Sequence, residues 1–225
     1  MNRLITCAIL IFLGISQVSS KTITVDSSLS LPTATSAPSL LMALALLYNT
    51  TTSQLYETDN TIILLANTVG TTQSLGNLVS IATNGGVNIV FENAPSVISS
   101  SSDCANLPKI SLNSASSLNA TGLQYLSIKG VFLVISADSS KTSFNNIANV
   151  TLNSFCMNST NPSSGTSFNV PLTIKNVPLL TIRNWFLGHQ SLYAIQIQGG
   201  TNINIQDTII YLEQFPESRL PTDFV

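Results

Sequence analysis

The stretch 172–184, LTIKNVPLLTIRN, is followed by a second copy of the same pattern at 195–207, IQIQGGTNINIQD. In each copy apolar residues alternate with polar ones up to a turn-forming residue, and the alternation then resumes up to a second turn-forming residue. The matching turn positions, Asn176 and Gly199, are 23 residues apart, a spacing typical of stacked repeat proteins. This stretch therefore decides the fold class, and it contains no catalytic motif.

Alternation of this kind predicts half-buried strands, because successive side chains of a strand point to opposite faces. Asn and Gly suit the left-handed backbone of a tight corner. One copy is too small to bury its own apolar side, so several copies must stack to form a core. In the first copy, four apolar residues are predicted to face inward: Leu172, Ile174, Leu180 and Ile182.

Degenerate copies lie upstream. The stretch 144–154, FNNIANVTLNS, keeps the whole pattern, and the stretches 89–93, 110–114 and 126–130 each match its first half. From about residue 22 to residue 211 the pattern resembles the right-handed parallel β-helix of the pectin-lyase-like superfamily. The resemblance implies that the corner residues Asn146 and Asn176 stack in an internal ladder.

The fold prediction is therefore all-β, a right-handed parallel β-helix solenoid with an N-terminal cap helix. The helix is predicted at 39–48, with Ser36 or Ser39 as its N-cap and Pro38 near its first turn. Its sequence is apolar nearly all round, which predicts a buried helix. The predicted domains are a signal peptide at 1–20, the β-helix at 21–211 and a C-terminal tail at 212–225.

The N-terminus has the three parts of a secretory signal: Arg3, an apolar segment at 4–15, and small residues at 18–20. A membrane span needs about 18 to 20 apolar residues, which this segment does not reach. The expected location is therefore secreted or at the extracellular cell surface. No cap helix is predicted near the C-terminus, which leaves a complete secreted protein or the N-terminal part of a longer surface protein.

Charged residues make up only 8% of the chain, and the formal net charge is −2. An ordinary globular protein contains about 25% charged residues, so solubility here must depend on Ser, Thr, Asn and Gln. The sequence has no run of Lys and Arg, which argues against a nucleic-acid partner. A polysaccharide or cell-surface glycan is the partner class we expect. The sequence indicates no oligomeric state.

Four N-glycosylation sequons occur, at Asn49, Asn119, Asn149 and Asn158. In a secreted eukaryotic chain each can carry a glycan, although chance matches are frequent in a chain so rich in Asn, Ser and Thr. Asn158 begins the polar stretch 158–167, which is predicted to be an exposed loop, as is the stretch 96–103.

Loss of the signal peptide would leave two cysteines, Cys104 and Cys156, which are 52 residues apart. Two cysteines in an oxidising compartment permit one disulfide. Adjacent coils are about 4.8 Å apart and a disulfide needs Cα atoms within about 7 Å, so a loop must reach across coils to form it. The alternative is two separate thiols.

Acid–base cleavage of a glycosidic bond needs two carboxylates about 5 to 9.5 Å apart. The acidic residues of the repeat region are scattered over different coils: Glu92, Asp103, Asp138 and Asp207. Asp207 occupies the corner position that Asn184 fills in the preceding copy. His189 is the only histidine, and it has no partner in the sequence to orient it. No catalytic residue, metal site or cofactor is predicted.

Aromatic residues could form a sugar-stacking platform. Trp185 follows the corner residue Asn184 and is the candidate for a glycan contact, on the expectation that it faces outward. The function we expect is a non-enzymatic secreted or cell-surface β-helix glycoprotein, in adhesion or glycan contact. The alternative is a divergent polysaccharide lyase or glycoside hydrolase. An outward carboxylate cluster would favour the enzyme, and an outward face of Thr, Asn and Ser would favour the non-enzymatic protein.

Overall fold

The computed structural model describes residues 19–49, 54–74, 78–79, 85–112, 119–136, 142–160, 172–188 and 195–210. Its elements in chain order are β1 (Ser20–Val25), β2 (Ser36–Ala37), α1 (Leu40–Leu47), β3 (Tyr48–Asn49), β4 (Gln54–Leu55), β5 (Asp59–Leu64), a 3₁₀ turn (Ala66–Thr68), β6 (Thr72–Ser74), β7 (Leu78–Val79), β8 (Gly86–Phe91), α2 (Ser101–Ala105), β9 (Lys109–Leu112), β10 (Asn119–Thr121), β11 (Tyr125–Lys129), β12 (Phe132–Ser136), β13 (Thr142–Asn145), β14 (Asn149–Thr160), β15 (Leu172–Lys175), β16 (Leu179–Gly188), β17 (Ile195–Gln198) and β18 (Asn202–Ile210).

The strands stack in parallel to form three faces of a solenoid. The first face contains β1, β5, β8, β11 and the first parts of β14, β16 and β18. The second face contains β6, β9, β12 and the second parts of the same three long strands. The third face contains β7, β10, β13, β15 and β17. The predicted parallel β-helix is confirmed.

Left-handed residues mark the corners where the chain passes from one face to the next. Between the third and first faces they are Gly122, Asn146, Asn176 and Gly199, with φ of 72°, 53°, 54° and 70°. Between the first and second faces they are Gly130, Ser154, Asn184 and Asp207, with φ of 71°, 48°, 47° and 52°. Gly, Asn and Asp tolerate this backbone best, and so the predicted corners are confirmed.

Inward-facing aliphatic side chains form the core. The four residues predicted to face inward in the first repeat copy, Leu172, Ile174, Leu180 and Ile182, are at most 1% exposed. Burial of one such side chain contributes about 1.5–3 kcal/mol. In the first face, one column of aligned residues is fully buried over six successive coils: Ile23, Ile62, Ile89, Ile128, Leu152 and Ile182.

The helix α1 packs against β1, β2 and β5 at the N-terminal end of the solenoid. Ser39 caps it, because its hydroxyl accepts a hydrogen bond from the N–H of Met42 at 3.4 Å. The Lys21 ammonium donates to the carbonyl of Leu46 at 2.7 Å, near the helix C-terminus. The helix is not buried all round, however. Leu41 and Met42 are nearly half exposed, because only one side of α1 packs on the solenoid.

Three further expectations are corrected. The stretch 96–103 was expected to be a loop and overlaps α2, and residues 158–160 belong to β14 rather than to a loop. None of the three stretches expected to match the first half of the repeat does so. The stretches 89–93 and 126–130 match its second half, since Ile89 pairs with Ile128 and Leu126 with Val150 on the first face. The stretch 110–114 begins on the second face, where Ile110 pairs with Leu133. Five alternating residues look the same on every face, so the local pattern does not distinguish them.

Several expectations lie outside the described residues. They concern the signal peptide up to residue 18, Asp138, the stretch 161–167, His189 and the tail at 212–225. Ser20, the last residue of the predicted signal peptide, begins β1 and pairs with Asp59. Within the described ranges, no helix has the length and apolar character needed to cross a membrane.

Candidate functional site

The outward side of the first face presents an unbroken row of hydroxyl and amide side chains. One residue from each coil contributes to it, and the parallel register aligns each residue with the next. All seven side chains are partly or fully exposed. Adjacent members are separated by the coil spacing of about 4.8 Å. We call this row the hydroxyl–amide column: Thr22, Thr61, Asn88, Ser127, Thr151, Thr181 and Asn204.

Two further outward columns flank it. The strand-start column contains Ser20, Asp59, Gly86, Tyr125, Asn149, Leu179 and Asn202. The strand-end column contains Thr24, Ile63, Val90, Lys129, Asn153, Arg183 and Gln206. Among these three columns, Asp59 is the only carboxylate, so the columns contain no pair of acids of the kind that cleaves a glycosidic bond.

Asp59 already has a partner on this face. The Tyr125 hydroxyl donates a hydrogen bond to the Oδ1 atom of Asp59, across the intervening strand β8. The tyrosine ring lies directly on Gly86, because a Cβ atom at that position would be 2.3 Å from Cδ1 of the ring. Partial burial and the neighbouring Asp59 raise the pKa of Tyr125 above its usual value. The phenol therefore stays protonated and keeps the carboxylate occupied.

Three other acidic residues in the described ranges have structural roles. Glu92 accepts a hydrogen bond from the N–H of Ala66 at 2.5 Å. Asp103 accepts from the N–H groups of Ser99 and Ser100, which lowers the pKa of its carboxyl. Asp207 is a left-handed corner residue, as its position in the repeat predicted. The described residues contain no group of three or more His, Cys, Asp and Glu that could hold a metal ion.

Trp185 is buried inside the solenoid. It is 8% exposed, and its ring stacks on Phe155 with centroids 5.6 Å apart and an interplanar angle of 8°. The expectation that Trp185 faces outward is therefore wrong. The left-handed residue Asn184 shifts the phase of the alternation, so that both Ile182 and Trp185 face inward although they are three residues apart. The ring of Trp185 is not available to a glycan in this conformation.

The second face is covered by the long connection between β8 and β9. In the structure Cys104 of α2 and Cys156 of β14 form a disulfide with Cα atoms 5.7 Å apart. The connection reaches one coil further, where the side-chain amide of Asn184 donates to the carbonyl of Ser96 at 2.7 Å. The coil spacing predicted that this disulfide would need a loop that reaches across coils, and the connection between β8 and β9 is such a loop. These contacts make the part of the second face formed by β14 and β16 a packing surface.

Among the sequons, Asn149 is the one whose acceptor side chain the structure describes. It is exposed and is the first residue of β14, and Thr151 two residues later is partly exposed on the same side. Asn158 lies within β14, and its backbone pairs with Val134 of β12 and Gly188 of β16. Asn49 lies in β3 and Asn119 in β10, and the side chains of these three residues are outside the described part. Glycosylation of all four stays a prediction.

Sequence reasoning did not find the arrangement of Tyr125, Gly86 and Asp59. These residues are 39 and 27 positions apart along the chain, and only the register between coils brings them together. The one available signal is a glycine at the start of a strand, because such a glycine often marks the close approach of another group.

No family model, curated protein or solved structure matches the chain. The parallel β-solenoid is therefore established by the structure alone, and membership of the pectin-lyase-like superfamily stays a hypothesis.

Proposed function

We propose that this chain is a secreted or cell-surface β-helix glycoprotein that contacts glycans without cleaving them. The observation that carries this proposal is the hydroxyl–amide column of the first face. Hydroxyl and amide groups both donate and accept hydrogen bonds, which suits the many hydroxyl groups of a sugar polymer. The column continues over seven strands, so it offers an extended contact line rather than a single pocket.

The rigidity of the sheet supports binding through this column. Each contributing residue stands on a strand that pairs with described neighbours, so its backbone is ordered before any ligand arrives. Groups that are already ordered lose little conformational entropy on binding. Lys129 and Arg183 border the column and add charged donors, which make stronger hydrogen bonds than neutral ones.

The chemistry of the first face supports contact rather than cleavage. Asp59 accepts a hydrogen bond from Tyr125, and the flanking columns offer no second carboxylate. A hydrolase needs one carboxylic acid to protonate the leaving group and a second carboxylate as base or nucleophile. The face therefore supports the non-enzymatic function over a glycoside hydrolase.

The test combines a glycan array with a polysaccharide-cleavage screen on one preparation of the secreted, purified protein. We expect binding without turnover. The double substitution Ser127→Ala and Thr181→Val should weaken binding about tenfold, because each lost hydrogen bond contributes about 0.5–1.5 kcal/mol. Thr173→Val, a partly exposed threonine of the third face, is the matched control and should leave binding unchanged.

Two results would overturn the proposal. New reducing ends or unsaturated products would show that the chain is an enzyme. Equal binding by the double variant and the parent protein would show that the hydroxyl–amide column is not the contact surface.

A further inference from the structure

Asn149 presents a complete sequon on the folded surface. Its backbone N–H donates to the carbonyl of Gln124 at 3.1 Å, which fixes the first residue of β14 at the corner. Its side chain is exposed on the outward side of the first face. Thr151 is two residues further along the strand and points to the same side, because side chains of a strand alternate. The amide and the hydroxyl that a glycosylation sequon requires are therefore both on the outer surface.

The neighbours of Asn149 are apolar, unlike most of this face. In the parallel register Asn149 lies between Tyr125 of β11 and Leu179 of β16. Leu179 is 45% exposed, which leaves a large apolar side chain in water. The Tyr125 ring is also partly exposed. An apolar strip therefore extends along the strand-start column on both sides of a polar, modifiable residue.

The Tyr125 ring is held in a fixed orientation. One side of it rests on the backbone of Gly86, where even an alanine would collide with the ring. Its hydroxyl is tied to Asp59 by a hydrogen bond. Tyr125 is partly exposed, so part of its ring is open to a ligand, and aromatic faces suit the flat apolar surfaces of sugar rings. Because the ring is already fixed, a sugar packed on it loses little additional freedom.

We propose that Asn149 carries an N-linked glycan whose first N-acetylglucosamine residues pack along the strand-start column, over the Tyr125 ring and beside Leu179. This inference rests on the proposed secreted glycoprotein. The donor is an oligosaccharide on a lipid diphosphate, supplied by the secretory pathway. The Nδ2 atom of Asn149 bonds to the anomeric carbon, and the bond from that carbon to the diphosphate oxygen breaks. The lipid diphosphate leaves with the electron pair of that bond, and the proton lost by the amide passes to solvent.

The position of this glycan is compatible with the proposed contact surface. It covers the strand-start column and borders the hydroxyl–amide column at Thr151. The strand-end column, which contains Lys129 and Arg183, lies on the opposite side of the hydroxyl–amide column and stays uncovered. The glycan therefore restricts partners to one side of the first face.

The test uses the full chain expressed through a eukaryotic secretory pathway. Glycopeptide mass spectrometry should find Asn149 occupied, and both Asn149→Gln and Thr151→Ala should abolish that occupancy. Loss of the glycan should lower Tm by about 2–4 °C, the shift expected for the loss of one good contact in a domain of this size. A protein trimmed by an enzyme to the first N-acetylglucosamine should keep part of the stabilisation, so its Tm should lie between those of the fully glycosylated and the unglycosylated protein.

A double-variant cycle then tests the packing. In a Gly86→Ala background the tyrosine remains but its ring is displaced, so Asn149→Gln should change Tm by less than about 1 °C. The Tyr125→Phe background keeps the ring and loses only the hydroxyl with its hydrogen bonds, so it should retain most of the shift. If Asn149→Gln lowered Tm equally in the parent protein and in the Gly86→Ala background, the proposed packing of the glycan on the Tyr125 ring would be wrong.

The failure of this inference can be distinguished from failure of the proposed function. An unoccupied Asn149 in a protein that is secreted and still binds glycans would overturn the inference and leave the function intact. A Leu179→Ser variant that changes a dimer into a monomer in light scattering would show that a second copy, rather than a glycan, covers this strip, and would also overturn it.

Discussion

The two copies of the repeat have the same sequence pattern and the same register, yet they differ in burial. Leu180 and Ile182 of the first copy are at most 1% exposed, whereas their partners Ile203 and Ile205 of the second copy are 45% and 46% exposed. The first copy lies between two described coils, and the second contacts a described coil on one side alone. The sequence pattern thus sets the direction of a side chain, while burial requires a neighbouring coil on each side.

The corners of the two copies differ as well. The side-chain amide of Asn176 donates to Oδ1 of Asn146 at 3.1 Å, which gives the asparagine pair that the resemblance implied. Both asparagines are exposed, so the pair lies at the outer corner rather than in the interior. Gly199 occupies the same corner one coil further on, and a Cβ atom there would be 3.0 Å from Oδ1 of Asn176. The ladder therefore ends where the side chain of Asn176 lies over a glycine.

The largest expected effect compares the two copies directly. Ile182→Ala should reduce the free energy of unfolding by about 2–5 kcal/mol, because it leaves a cavity in a covered coil. Ile205→Ala should reduce it by about 1–2 kcal/mol, because nearly half of that side chain already contacts water. Urea unfolding of both variants measures the difference. Equal losses would show that the coil of β18 is covered in solution.

The disulfide gives the next largest effect. It links α2 to β14, the coil next to Trp185, and no described disulfide reaches β18. Replacing both Cys104 and Cys156 by Ser should lower the free energy of unfolding by about 2–4 kcal/mol. Unfolding followed by the fluorescence of Trp185, the only tryptophan, reports on the linked region. A loss below about 1 kcal/mol would mean that the connection over the second face is held without the disulfide.

Substitutions at the corner between the third and first faces separate the contributions of the left-handed backbone and of the side-chain hydrogen bond to the free energy of unfolding. Asn176→Ala should cost about 1–2 kcal/mol through the left-handed backbone and about 0.5–1.5 kcal/mol through the bond to Asn146. Asn176→Gly keeps the backbone conformation and loses only the bond, so it is the matched control. Gly199→Ala should show the backbone cost in the last described coil. Chemical denaturation measures the free energy of unfolding of all three variants. Equal losses for Asn176→Ala and Asn176→Gly would show that the left-handed backbone makes no contribution.

The smallest effect is a pH dependence at α2, which supports the covered coils. Hydrogen bonds from Ser99 and Ser100 hold the pKa of Asp103 below its ordinary value of 3.8. A carboxyl with a lowered pKa in the folded state adds stability above its unfolded pKa and loses it as pH falls through the folded pKa. Below about pH 5 the Tm of the parent protein should therefore fall more than that of Asp103→Asn. Parallel acid profiles of the two proteins would contradict this role.

Much of the fold could be predicted from local sequence. The inward residues of the repeat, the corner residues and the cap helix each follow from the chemistry of a few adjacent positions. The candidate site was less predictable. The outward Thr, Ser and Asn residues follow from the alternation, but the sequence did not show that seven of them would align in one row, because loops of unequal length separate the coils.

The amino-acid sequence by itself therefore predicted a parallel β-solenoid, since alternation and turn residues act over five to ten positions, and the structure confirmed it. Only the tertiary structure decided that Trp185 faces inward, that Tyr125 rests on Gly86, and that Asn149 stands beside Leu179. The physical reason is that left-handed corners shift the phase of the alternation and coil-to-coil register depends on the whole stack. Neither is encoded in any one strand.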